Sequence, residues 1–176
     1  MKKFKRLTAL ALALVMVLGL TTGAGAAGAK YSSWFAPYYK EMQEPAINIM
    51  PSSFVNADLT QSITRGEMSL LAVMAFEKAT GNKIDELERT DYFSDTTDSN
   101  ILKAHEYGIV NGYPDGTFQP NKTLTRQEFF SIVQNFCEAA AYTSSRQVKT
   151  LSSFSDYGYV DSWARESATY CVEKGF

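Results

Sequence analysis

Apolar residues downstream of Ser62 recur at helical spacing in three separate stretches. Met68, Leu71, Ala72, Ala75, Phe76 and Ala79 fall at i, i+3, i+4, i+7, i+8 and i+11. That is one continuous face of a helix opening at Thr64, with Gly81 and Asn82 as stop residues. Phe129, Val133, Phe136, Cys137 and Ala140 give a second face, in a long helix opening at Thr125. Val160, Ala164, Ala168, Cys171 and Val172 give a third, in an amphipathic helix expected to follow Phe154. Between the first two lies a short helix marked by Ile101 and Ala104 and ended by Gly108. Residues 111–118 then read as a double turn, where Gly and Asp-Gly supply positive φ values. Upstream, Gly28 to Ser33 reads as a tether, and Trp34 to Glu44 as an aromatic-rich helix interrupted near Pro37 and closed before Pro45. Asn48 to Ser62 has no clear period and contains Pro51, a loop signal, and Thr143 to Ser153 is a polar linker.

Two short signatures recur at one shared interval. Phe93-Ser94-Asp95 returns as Phe154-Ser155-Asp156, and Thr64-Arg65-Gly66-Glu67 returns as Thr125-Arg126-Gln127-Glu128, each 61 positions on. Independent coincidences would rarely agree on an offset, so the chain reads as a tandem array whose units bury their apolar faces against each other. Lys174-Gly175-Phe176 matches Tyr107-Gly108-Ile109. The third unit is therefore expected to have its first helix but neither turn nor second helix, and residues 154–176 to be the least stable part. Function is expected in a repeated surface rather than in one cleft.

The first residues carry the three parts of an export signal. Lys2, Lys3, Lys5 and Arg6 are a positive start, Leu7 to Leu20 is an apolar run, and Ala24-Gly25-Ala26 offers the small residues a signal peptidase reads. The run is shorter than the roughly 20 residues of a spanning helix. Cleavage after Ala26 would remove those four cations and take the formal charge from −2 to −6. A mildly acidic mature chain without a second long apolar run points away from nucleic acid, which is bound by clustered Lys and Arg, and away from a membrane. Cys137 and Cys171 are the only cysteines, both at apolar helical positions, and are expected as two buried thiols rather than a bridge. His105 is the only histidine, no metal-ligand spacing occurs, and no cofactor is implied.

In the Thr-Arg-x-Glu block, Thr at the N-cap and Glu at N3 make a capping box. Helix initiation alone thus accounts for Thr64, Glu67, Thr125 and Glu128. Arginine is not accounted for in that way. Arg65 and Arg126 fall at N1, beside the positive end of the helix dipole, where a cation is mildly unfavourable. A guanidinium there, next to the free amides of a first turn, suits a carboxylate or phosphate in two-point contact. The alternative is an Arg that fastens neighbouring units by pairing with an Asp such as Asp95 or Asp115.

Phe93-Ser94-Asp95, Ile101-x-x-Ala104-x-x-x-Gly108-Ile109-Val110-Asn111-Gly112, Asp115-Gly116-Thr117-Phe118-x-Pro120 and Leu124-Thr125-Arg126-x-Glu128 together resemble the S-layer homology (SLH) repeat of bacterial cell-envelope proteins. The resemblance is nearly complete over residues 93–140. It implies a mainly α fold of tandem helix–loop–helix units in a pseudo-threefold bundle with its third repeat incomplete. The divisions would be a signal peptide at 1–26, a diverged first repeat at 27–92, a second repeat at 93–153 and a truncated third at 154–176. It further implies a secreted, non-covalent cell-wall anchor that is not an enzyme. Grooves between repeats would bind an anionic secondary cell-wall polysaccharide, often pyruvylated, or a polymer linked to peptidoglycan. The glycan contacts carried over by motif are Arg65 and Arg126, Trp34 and Trp163, and Asp95 and Asp156. Gly112 and Asp115 are added because their turn could bring backbone close to a sugar.

Two other classes compete. Self-assembly, as an S-layer component without glycan specificity or as a homo-oligomer in which chains complete one another's third unit, follows from the unfinished repeat; a missing effector domain is the other implied partner. A wall-glycan hydrolase lacks support, because Asp95 and Asp98 sit in polar, turn-like sequence with no nucleophile, base and orienter.

Overall fold

Local capping chemistry sets the two long helices. Thr64 precedes α2 (Arg65–Thr80), and Thr125 precedes α4 (Arg126–Ala139); a short α1 (Ala36–Gln43) comes before them. Between the two long helices lies α3 (Ser99–Glu106), whose N-cap Asp98 accepts hydrogen bonds from the amides of Asn100 and Ile101. The last helix, α5 (Arg165–Lys174), has no side-chain cap at Ala164 and ends on Gly175 in the left-handed region. The computed structural model describes residues 29–143 and 149–176. The export-signal reading of residues 1–26 lies outside them, as does the middle of the polar linker. Among the described residues there is no strand, only the isolated bridges Lys30–Asp58 and Thr64–Thr123. The expected mainly α class agrees with this. None of these helices is long and apolar enough to cross a membrane.

Packing follows the apolar faces. Met68, Leu71, Ala72, Ala75 and Phe76 of α2 are buried, as are Ile101, Leu102 and Ala104 of α3, and the two helices pack together. Phe129, Ile132, Val133, Phe136 and Cys137 of α4 continue the same core, and Cys171 of α5, which packs on α4, joins it. Phe76 and Phe136 meet edge to face at 6.1 Å, an orientation that the ring quadrupoles favour. Tyr107 latches the segment between α2 and α3: its hydroxyl donates to Glu77 (3.0 Å) and accepts from the Ile84 amide (2.9 Å). Both cysteines are free and buried. Burial pushes their thiols up, to about 11 for Cys137 and about 12 for Cys171.

Three local expectations change. Pro37 is the second residue of α1 and stands in its first turn instead of interrupting it, because first-turn amides have no intrahelical acceptor to lose. The tether is packed: Ala29 and Ser32 are buried, Tyr31 stacks on Tyr39 at 4.5 Å, and Lys30 reaches Asp58. The third amphipathic helix is shorter than its apolar spacing implies, since Tyr157–Tyr159 and Ser162–Ala164 are 3-10 turns and α-helix begins only at Arg165.

Candidate functional site

The two Thr-Arg-x-Glu blocks begin their helices alike. Thr64 Oγ1 accepts from the Glu67 amide (3.2 Å) while Glu67 Oε2 accepts from the Thr64 amide (2.8 Å). Thr125 and Glu128 repeat this at 3.2 and 2.9 Å. Each box satisfies two amides that a helix start would otherwise leave unpaired. Glu128 has a second task that Glu67 lacks. Its other oxygen accepts from the Tyr113 hydroxyl and faces Arg65 Nη1 at 3.4 Å and Lys122 Nζ at 3.7 Å. Burial works against the Glu128 charge, but hydrogen bonds from Tyr113 and Thr125 and the nearby Arg65 outweigh it and hold the carboxyl below its ordinary value.

The arginines part company after the helix start. Arg65 is 6 % exposed. Its Nε donates to the Phe118 carbonyl (2.8 Å) and its Nη2 to the Asn111 carbonyl (2.9 Å). The guanidinium carbon lies 4.6 Å from the Tyr113 ring centre and 4.4 Å from that of Phe118, within cation–π range. Its carboxylate partner is Glu128, neither Asp95 nor Asp115. Arg65 thus fastens α2 to the turn at 111–119 and to Glu128 at the start of α4.

Three more of the sequence-selected residues hold that same turn. Asp95 accepts from the Phe118 and Gln119 amides, both at 2.7 Å. Asp115 Oδ1 accepts from the Thr117 amide (2.9 Å) and hydroxyl (2.7 Å), and these bonds lower its pKa. Gly112 is required by close approach: a Cβ there would sit 2.5 Å from Phe93 Cε1 and 2.8 Å from the Thr117 carbonyl oxygen. Trp34 is half-buried, edge-on to Phe35 against the core.

Arg126, Asp156 and Trp163 differ in kind. Arg126 is exposed, and neither it nor the exposed Asp156 side chain has a hydrogen-bond, ion-pair or ring partner among the described residues. Trp163 is 56 % exposed. Gln127, next to Arg126, brackets Asp161, accepting from its amide at 2.8 Å and donating to its carboxylate at 3.2 Å. This holds the loop before α5 against the start of α4, and that loop carries Tyr157 (50 % exposed) and Tyr159 (85 % exposed) beside Trp163. Sequence reasoning passed over Gln127, Asp161 and the two tyrosines. The available signal was the one position where the repeated blocks disagree, Gly66 against Gln127. It also passed over Tyr113 and Lys122, whose contacts with Glu128 are tertiary.

The ordered turn, its Asp95 grip and the following Thr-Arg-x-Glu start fall within one family match. Residues 92–130 match the family model of the S-layer homology domain. This segment is an S-layer homology domain. The S-layer homology segment thus holds α3, the turn and the start of α4, including Arg126. The chain is 29 % identical over 136 residues to an amylopullulanase of Thermoanaerobacterium thermosulfurigenes, covering 74 % of this chain and 7 % of that protein. It is 41 % identical over 51 residues to a cellulosome-anchoring protein of Acetivibrio thermocellus, covering 26 % and 11 %. It is 36 % identical over 84 residues to cell surface glycoprotein 1 of the same species, covering 43 % and 3 %. The chain thus spans about a tenth or less of the length of these relatives. No solved structure matches the chain.

Proposed function

We propose that this chain is a secreted, non-enzymatic module that holds non-covalently to the bacterial cell wall by binding an acidic, carboxylate-bearing wall glycan beside Arg126. The observation that carries this reading is an exposed guanidinium without a partner among the described residues, placed at the first turn of α4 inside the segment that matches the S-layer homology domain. Exposed aromatic rings at Tyr157, Tyr159 and Trp163 on the loop bracketed by Gln127 support it, because ring faces stack on the apolar faces of sugars. The names of two relatives, a cellulosome-anchoring protein and a cell surface glycoprotein, agree with a surface role. A pyruvyl ketal on an amino sugar is the carboxylate we favour, since the guanidinium fork fits a planar two-oxygen acid.

The test is retention of the mature protein on purified wall sacculi, with and without their secondary polymer. Arg126→Ala should weaken retention by about tenfold or more, the loss of one charge-assisted contact of roughly 1.5 kcal/mol. Arg126→Lys should fall between. Unchanged retention by Arg126→Ala, or equal retention on polymer-stripped sacculi, would remove the proposed site.

A further inference from the structure

Arg126 is not alone in leaving a guanidinium open. Arg165 is also exposed, and its side chain has one polar contact among the described residues, the bond from Nε to the Val160 carbonyl at 3.1 Å. That bond fixes the stem and uses one of the five donors of the fork. Both Nη groups are left without a partner among the described residues.

Helix building does not account for this arginine. Gly108 follows α3 and Gly175 follows α5, both in the left-handed region, and ten residues before them stand Asp98 and Arg165. Asp98 caps α3 with its carboxylate, whereas α5 opens on Arg165 with no side-chain cap. A cation in a first turn opposes the helix dipole, and among the described residues no ion pair at Arg165 offsets that cost.

The loop that carries the exposed rings links Arg165 to Arg126. Gln127, next to Arg126, is bonded to the amide and carboxylate of Asp161, and Val160, next to Asp161, holds Arg165. The two guanidiniums thus stand at the ends of one braced path through Gln127, Asp161 and Val160. Trp163, 56 % exposed, lies between Asp161 and Arg165 in the chain. The Asp161 carboxylate is part of that path, so a single acid group reaching both guanidiniums would have to lie against its charge. Two acid groups, one at each end, avoid it.

We propose that Arg165 is a second contact for the wall glycan, and that this glycan carries acid groups on separate sugar units, one meeting Arg126 and another meeting Arg165. The inference rests on the anchoring reading and narrows its ligand from an acidic glycan to a polyacidic one.

The probe is the secondary polymer released from sacculi, titrated calorimetrically into the native chain, Arg126→Ala, Arg165→Gln and the double variant at low and at high salt. Gln keeps an amide donor for the Val160 carbonyl but lacks the charge. Arg165→Gln should weaken binding by about fivefold at low salt, the upper range for an exposed charge contact. The loss should shrink at high salt, because exposed charges are screened. With separate acids on separate cations, the two single losses should multiply in the double variant. Native affinity in Arg165→Gln would overturn the inference. So would a loss equal at both salt levels, which would mark Arg165 as a brace of the loop only. A double variant no weaker than Arg126→Ala would overturn it as well. Absence of binding by the native chain overturns both readings, whereas a weakened Arg126→Ala beside an unweakened Arg165→Gln overturns this one alone.

Discussion

Arg65→Ala should be among the most damaging single substitutions in this chain, although Arg126→Ala, at the same motif position, should be nearly silent. Arg65 supplies two hydrogen bonds to turn carbonyls and the cationic half of an ion pair with Glu128, whose side chains are only 7 % and 12 % exposed. A hydrogen bond from a charged group contributes about 1.5–3 kcal/mol, and removing one partner of a buried pair costs about 3–5 kcal/mol. These overlap, since Glu128 keeps Tyr113 and its capping amide, so the total should be about 3–5 kcal/mol. That is a large share of the roughly 5–15 kcal/mol that holds a domain together. At about 2–4 °C per kcal/mol for a chain of this size, Tm should fall by about 6–20 °C. Arg126→Ala should stay within about 0.5 kcal/mol, as surface substitutions do. Urea denaturation followed by circular dichroism would measure both. A loss under about 1 kcal/mol for Arg65→Ala, or equal losses for the two variants, would refute the claim that burial divides them.

Other outcomes follow from the same geometry. The Glu128 carboxyl is held below its ordinary value in the folded chain, so its contribution is complete above the unfolded Glu pKa of about 4.3 and is lost as pH falls through the lower folded value. Glu128→Gln should therefore destabilise at pH 7 and flatten the acid limb of a stability–pH curve; an unchanged limb would count against the network. Gly112→Ala must displace Phe93 or the Thr117 carbonyl and should cost about 1–3 kcal/mol, read as a lowered urea midpoint. The Cys137 and Cys171 thiols, raised by burial to about 11 and about 12, should resist a thiol reagent at pH 8 until α5 lifts off α4. We expect residues 154–176 to exchange amide hydrogens faster than residues 125–140, with cysteine labelling tracking that opening; equal protection would refute it.

What was legible in the sequence was local. The capping boxes announced α2 and α4 because a Thr and a Glu three residues apart complete their bonds within one turn. The stretch at 111–118 declared itself through Gly112 and Asp115-Gly116 for the same reason. The start of α5 was not legible, because Val160 and Ala164 keep helical spacing with Ala168 while Asp156, Gly158 and Asp161 favour tight turns over continued helix. Nothing near Arg65 in sequence announces its burial either. Its three polar partners lie 46, 53 and 63 residues away, and only the folded register of α2 on the 111–128 segment brings them together.

That dependence bears on how a repeated motif is turned into a function. A guanidinium brings five donors in a fixed fork, and protein carbonyls satisfy them as readily as a sugar acid does. In the first frame the neighbouring turn has taken the fork, so sharing the Thr-Arg-x-Glu motif does not by itself make Arg65 a ligand residue. In the second frame the corresponding side chain is exposed, and the loop held by the neighbouring Gln127 carries three exposed aromatic rings. Ligand binding and repeat coupling are thus alternative uses of one side chain. Among the described residues the turn at 111–119 lies against Arg65 and no side-chain partner lies against Arg126, and that difference is what the paired substitutions measure.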